Sequence, residues 1–238
     1  MIVYGRHPVH EALRGPRTVR RIWATKNTLR EPWLRQQGRL VAVLASPEIE
    51  QRCGSAEHQG VCAEVSEFHY VSETELLGAG SGLIVALDQV QDPQNLGAIC
   101  RTAECAGAVG VVILERRSAQ VTPAVCKASA GAVEHLPVSR VRNLADFLGA
   151  ARASGWWCYG AAGQAALSYD QAEYPPAAVL VLGSEERGLR PRVAGACDEL
   201  VSIPLRGRVG SLSVGAAAAV LIYGLTAHGT SVNLPRGR

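Results

Sequence analysis

With 238 residues, of which 47% are hydrophobic, the chain can close a packed core, which excludes wholesale disorder. A net charge of +3 excludes a strongly acidic protein and one basic throughout, but the charge is unevenly spread: residues 1–40 carry nine basic side chains, Arg6, Arg17, Arg20 and Arg21 among them, against Glu11 and Glu31 alone. That concentration suits a polyanionic partner, or equally a solvated basic face.

Of the 24 cationic residues only Lys26 and Lys127 are lysines. Arginine's planar fork suits phosphate, although genomic base composition produces the same bias. The seven cysteines are scattered, form no CxxC pair and have no zinc spacing with histidine, so reduced thiols in a cytoplasmic protein are expected, with no metal. No apolar run approaches the roughly 18–20 residues of a membrane helix, so a soluble chain without membrane association is expected.

Along residues 1–71, "IVYGRHPVHEALRG" reads as a short strand and a helix entered near Pro8. "VRRIWAT" and "LVAVLAS" read as strands, "SPEIEQRCG" as a helix capped by Ser46 and stopped by Gly54, and "HQGVCAEVSEF" as a further strand. This is a small α/β unit. Residues 72–82, "SETELLGAGSG", have the Gly/Ser composition of a flexible linker.

Residues 83–238 alternate regularly. "GLIVALDQV", "GVVILE", "HLPVSRV", "WWCYGAA", "AAVLVLGS" and "ELVSIPL" are strands, and "NLGAICRTAECAG", "TPAVCKASAGAV", "NLADFLGAARASG", "LRPRVAGAC" and "SVGAAAAVLIYGL" are helices. Continuous apolar strands between helices predict a mostly parallel sheet covered on both faces.

Three turns at predicted strand ends carry polar residues that a plain core does not need. In chain order they are "QDPQNLGAICRTAE" (91–104), "VLVLGSEERGL" (179–189) and "VSIPLRGRVGSLSVGAAAAV" (201–220). Glycine at a strand end lets a ligand lie against the backbone, and a helix start offers free N–H groups. A NAD-dependent oxidoreductase would also fit the alternation, but no GxGxxG follows a strand: "GAGSG" precedes one.

Together, in this order, the turns resemble the three motifs of the SpoU (TrmH) family of RNA ribose 2′-O-methyltransferases, within the SPOUT superfamily. They stand as Asn95-Leu-Gly97…Arg101, Gly183-Ser-Glu185…Gly188, and Ile203-Pro204…Ser211-Leu212-Ser213. "YGRHPVHEAL" and "HQGVCAEV" also look like the N-terminal RNA-binding domain of the family's ribosomal-RNA branch. The resemblance implies a C-terminal trefoil knot, S-adenosylmethionine bent within it, a homodimer with sites at the interface, and ribosomal RNA, most closely a 23S guanosine, as substrate. It implies cofactor contacts at Gly183, Ile203, Pro204, Leu212 and Ser213, and RNA contacts at Arg6, Arg17, Arg20 and Arg21.

The same resemblance makes Arg101 the key catalytic residue, with Asn95, Glu185 and Ser211 around it. A guanidinium is a costly base, so clamping an RNA phosphate that takes up or relays the proton is the preferred role for Arg101; a helix-surface ion pair with Glu104 or Glu185 is the plain alternative. Asn95 orients Arg101 or its turn, or simply caps a helix, as Ser211 also does. Glu185 fixes the loops or the neighbouring Arg, or is an ordinary loop carboxylate. Ser213 departs from the family, which has Asn there; a shorter side chain without an amide shortens one positioning contact. A non-catalytic RNA-binding or assembly protein on the same fold, and an antibiotic-resistance methyltransferase, remain as alternatives.

Overall fold

Strand β1 (Ile2–Tyr4) opens the chain and is followed by α1 (Arg6–Arg14), β2 (Val19–Ala24), α2 (Pro32–Arg35), β3 (Val41–Val43), α3 (Ser46–Cys53) and β4 (Val61–Val65). The computed structural model describes residues 1–229. These first elements make a four-stranded sheet in the order β1-β4-β2-β3, in which β4 runs antiparallel to β1 and β2 while β2 and β3 are parallel. The start of α3 differs from the sequence expectation. Glu48, not Ser46, satisfies the first turn by accepting from the Ala45 backbone N–H at 2.8 Å, and Ser46 Oγ lies 3.3 Å from His58 Nε2.

After α4 (Glu73–Leu77) the second unit runs β5 (Gly82–Asp88), α5 (Pro93–Cys105), β6 (Gly110–Leu114), α6 (Pro123–Ala128), β7 (Val138–Val141), α7 (Leu144–Ala153), β8 (Trp157–Ala161), β9 (Leu167–Ser168), β10 (Ala177–Gly183), α8 (Pro191–Ala194), β11 (Glu199–Ser202) and α9 (Val214–Gly229). Its sheet has seven strands in the order β7-β6-β5-β10-β8-β11-β9, and every pairing is parallel. Strand periodicity divides each central strand between two cores. Leu83, Val85 and Leu87 of β5 with Ala178, Leu180 and Leu182 of β10 face α5, α6 and α9. Ile84 and Ala86 with Val179 and Val181 face α7, α8 and α4. A sheet covered on both faces needs such uninterrupted apolar strands, which is why they read so clearly.

The first core does not stop at the domain boundary. Val3, Ile22, Val61 and Ala63 of the small sheet and Val9 of α1 belong to the same apolar cluster as Val125, Val133 and Val138 of the large unit. Residues 72–82 accordingly depart from the expected flexible tether. Ser72 caps α4 by accepting from Glu75 N–H, Leu76 and Leu77 are buried, and Leu77 O accepts from Trp156 Nε1 at 3.2 Å. Two leucines side by side in a Gly/Ser-rich segment have enough apolar area to hold it against the core.

Polar contacts seal this joint. Arg17 donates from Nε to Glu134 Oε2 at 2.7 Å and from a second guanidinium nitrogen to Oε1, with Arg17 8% and Glu134 4% exposed. The expectation that Arg17 binds RNA is thereby corrected: its charge is spent on a buried partner in the other domain. Glu11 and His135 pair at 2.7 Å, and Lys127 Nζ donates to Glu57 O at 2.8 Å. At Gly131 (φ +87) an added Cβ would lie 2.7 Å from Glu11 Cβ, so α1 can approach only a glycine there.

Candidate active site

The carboxyl ends of β5, β10, β8 and β11 converge on one rim of the large sheet, where open parallel sheets present their loops to ligands. Helix α5 leaves β5 through Asp92, whose side chain accepts from Gln94 N–H at 2.9 Å, with Pro93 in the first turn. Asp92 is therefore the cap, and Asn95, one possible cap by sequence, lies inside the first turn. Freed from capping, Asn95 donates from Nδ2 to Glu185 Oε1 at 2.5 Å. Its other amide atom faces the start of α9: a Cβ added at Gly215 would stand 3.7 Å from Asn95 Oδ1. All three strand-end loops thus meet at one asparagine.

The loop after β10 is tightly folded. Ser184 and Gly188 exchange backbone hydrogen bonds at 3.2 and 2.9 Å, and a Cβ at Gly183 would stand 2.1 Å from the Gly188 carbonyl carbon. The loop is also tied to β5. Asp88, fully buried, accepts from Arg190 N at 2.9 Å and from Nε and a terminal nitrogen of the same guanidinium at 2.7 Å each. The sequence reading passes over this pair. Its signal is a carboxylate inside the apolar run "LIVALD", since a buried charge requires a partner.

Between these loops lies a cleft of ≈ 220 Å³ lined by Gly183, Ser184, Glu185, Ile203, Ser211 and Leu212, with Ala161 and Gly163 after β8 and Val214, Ala217 and Leu221 of α9. Its wall is largely apolar, with Ser184, Glu185 and Ser211 as its polar side chains. Pro204 is exposed beside it. Helix α9 begins at Val214, not at Ser211: Ser213 Oγ accepts from Ala216 N–H at 3.2 Å and its carbonyl from Ala217 N–H at 2.9 Å. Ser213 is the cap and Ser211 is an exposed residue of the preceding loop, so a capping role for Ser211 is corrected.

Arg101 sits on α5 beyond Asn95, exposed, and forms no ion pair with Glu104 or Glu185. Glu185 is engaged by Asn95 instead. In the small domain, Arg6 pairs with Glu31 at 3.0 Å, Arg20 lies 3.7 Å from Glu64, and Arg21 lies over the Trp23 ring at 6.0 Å; all three are exposed. All seven cysteines are free thiols, and burial pushes Cys62, Cys100, Cys126, Cys158 and Cys197 up to about 12, leaving them protonated at neutral pH.

Residues 82–223 match the SpoU rRNA methylase family, and residues 2–71 match the substrate-binding domain of RNA 2′-O ribose methyltransferases. The chain belongs to the SpoU (TrmH) family of RNA methyltransferases. Members of the family use S-adenosylmethionine. An uncharacterized tRNA/rRNA methyltransferase of Synechocystis is 37% identical over 93% of this chain, which spans 61% of that relative's length. A putative TrmH family tRNA/rRNA methyltransferase of Staphylococcus haemolyticus is 34% identical over 94% of both chains. The crystal structure of an AdoMet-bound rRNA methyltransferase from Sinorhizobium meliloti superposes with a TM-score of 0.79 at 26% identity, covering 97% of this chain and 88% of its own. Among the described residues, no helix of this SpoU chain is long and apolar enough to cross a membrane.

Proposed function

We propose that the protein transfers a methyl group from S-adenosylmethionine to a ribose 2′-hydroxyl of RNA, a guanosine of 23S ribosomal RNA, and that it does so as a cytoplasmic homodimer whose C-terminal segment is threaded as a trefoil knot. The observation that carries this reading is the meeting of three loops at Asn95 beside an apolar cleft. The residues present fit the donor: an adenine ring suits the apolar wall of Ile203, Leu212 and Leu221, and the Gly183–Gly188 approach leaves backbone rather than side chains facing it. When bound, S-adenosylmethionine supplies an electrophilic methyl on its sulfonium.

The chain's own task is alignment and proton removal. Holding the hydroxyl in line can contribute on the order of 7–11 kcal/mol. Gly183, Ile203, Leu212 and Ser211 line the donor's cleft with Pro204 and Ser213 beside them, and Asn95 and Glu185 keep the loops in register around it. Arg101, exposed and without an acidic partner among the described residues, grips an RNA phosphate through its two-pronged guanidinium, and that phosphate accepts or relays the hydroxyl proton. Arg6, Arg20 and Arg21 on the small domain contribute charge along the RNA path.

Ribosomal RNA is favoured over tRNA by the rRNA methyltransferase whose structure superposes on 97% of the chain. The exposed apolar side chains Val220 and Tyr223 of α9, 36% and 52% exposed beside α5, favour a second copy packed there.

The deciding experiment is transfer of labelled methyl from S-adenosylmethionine to unmodified transcribed ribosomal RNA, with the product mapped for 2′-O-methylation. Label at one ribose, lost in Arg101→Ala, is the expected result. Near-full activity of Arg101→Lys would overturn the phosphate clamp, because an ammonium cannot reproduce the fork. No label on ribosomal RNA, with label on tRNA, would move the substrate and leave the reaction standing.

A further inference from the structure

The arginines fall into two groups. Arg6, Arg14, Arg17, Arg20, Arg142, Arg152, Arg190 and Arg192 each have a carboxylate within 4 Å, whereas Arg117 and Arg187 are among the arginines that have none among the described residues. These two stand on different loops, after β6 and β10, yet line one groove of ≈ 500 Å³ together with Gln89, Gln91, Asp92, Ser184, Glu185 and Glu186. The groove adjoins the cofactor cleft, since Ser184 and Glu185 line both. Two of its acids are already used: Asp92 caps α5 and Glu185 accepts from Asn95. All three carboxylates of the groove, Glu186 included, keep their charge, but among the described residues none lies within 4 Å of either guanidinium, so both forks are open to an anion.

Backbone geometry reinforces the point. Arg117 and Gln89, facing the groove from two loops, both adopt left-handed conformations (φ 59 and φ 62) that glycine would take without cost. Keeping arginine at such a position is unfavourable for folding, and the guanidinium gains no intramolecular partner in return.

We propose, on the methyl-transfer reading above, that Arg117 and Arg187 bind a backbone phosphate of the RNA next to the target ribose, and so set the register of the strand at the cleft. A phosphodiester is the chemistry two unpaired forks fit, and the polar amides of Gln89 and Gln91 are placed to meet a neighbouring sugar or base edge.

The test is binding of a fluorescein-labelled single-stranded RNA of mixed sequence to the full chain over a series of KCl concentrations, alongside calorimetric titration with S-adenosylmethionine. The variants are Arg117→Gly, which keeps the left-handed backbone, Arg187→Ala, Arg187→Lys and, as a control, Arg192→Ala, whose guanidinium is held by Asp146 at 3.2 Å. Arg117→Gly and Arg187→Ala should each weaken RNA binding several-fold and flatten the plot of log affinity against log salt by about 0.7 for each phosphate no longer neutralised. Arg187→Lys should keep the slope, Arg192→Ala should match the parent, and affinity for S-adenosylmethionine should not move. An unchanged slope in both variants, no RNA binding by the parent, or a loss confined to S-adenosylmethionine affinity would overturn the assignment. Failure of the parent to bind S-adenosylmethionine or transfer methyl would instead strike the methyltransferase reading.

Discussion

A Cβ at Gly183 would have to occupy space 2.1 Å from the Gly188 carbonyl carbon and 2.4 Å from the Leu189 nitrogen, both backbone atoms that cannot swing aside. Gly183→Ala must therefore open the loop that walls the cleft. A cost of about 1–3 kcal/mol is expected in a urea melt, together with loss of S-adenosylmethionine binding by calorimetry. Gly188 is the contrasting case. It has φ +62 with nothing within 4 Å of an added Cβ, so Gly188→Ala bears only the left-handed penalty of roughly 1–2 kcal/mol, and cofactor binding should survive. Two glycines of one motif thus serve by different physics, close approach in one and backbone conformation in the other. The motif spacing in the sequence marks both without separating them.

At the scale of elements, α9 closes the site and its first turn depends on Ser213. Asparagine and serine are comparable caps, so the departure from the family motif leaves the helix start intact. Ser213→Asn should lie within a few tenths of a kcal/mol of the parent, whereas Ser213→Ala should cost about 0.5–2 kcal/mol in chemical denaturation. If Ser213→Asn instead raised methyl transfer with stability unchanged, the shorter side chain would be limiting a contact beyond capping. Helix α5 carries a different constraint. A Cβ at Gly97 would meet Ala128 Cβ at 2.4 Å, so the small residue lets α5 lie on α6 and sets where Asn95 and Arg101 project. Gly97→Ala should cost about 1–3 kcal/mol by overpacking, read from the same urea melts.

For the whole molecule the decisive feature is the joint. Removing one partner of the Arg17–Glu134 pair strands a buried charge, so Glu134→Ala should destabilise by about 3–5 kcal/mol, and the loss should appear in the transition reporting both domains because they share one apolar cluster. The neighbouring Glu11 adds a pH dependence. Burial raises its pKa, but the His135 hydrogen bond and the charges of Arg14, His135 and His10 outweigh burial and hold it below its ordinary 4.5. A carboxylate held low in the folded state stabilises above its unfolded pKa and loses that contribution as pH falls through the folded value. Urea midpoints should therefore drop below about pH 4.5, and Glu11→Gln should flatten that drop.

What the sequence alone determined is local in origin. Apolar runs of strand length, helices between them and polar turns at three strand ends are written in consecutive residues, and they were enough to specify a parallel α/β unit, its small companion and the turns that border the cleft. Asn95, Glu185, Gly183 and Leu212 were legible for that reason. What only the tertiary structure decided are pairings across long separations: Asn95 with Glu185, Asp88 with Arg190, Arg17 with Glu134. No periodicity encodes these, so Arg17 read as one more basic residue of an RNA face, residues 72–82 read as a tether, and Ser211 read as a helix cap. Whether a charge meets solvent, a carboxylate or a ligand depends on which distant segment folds against it.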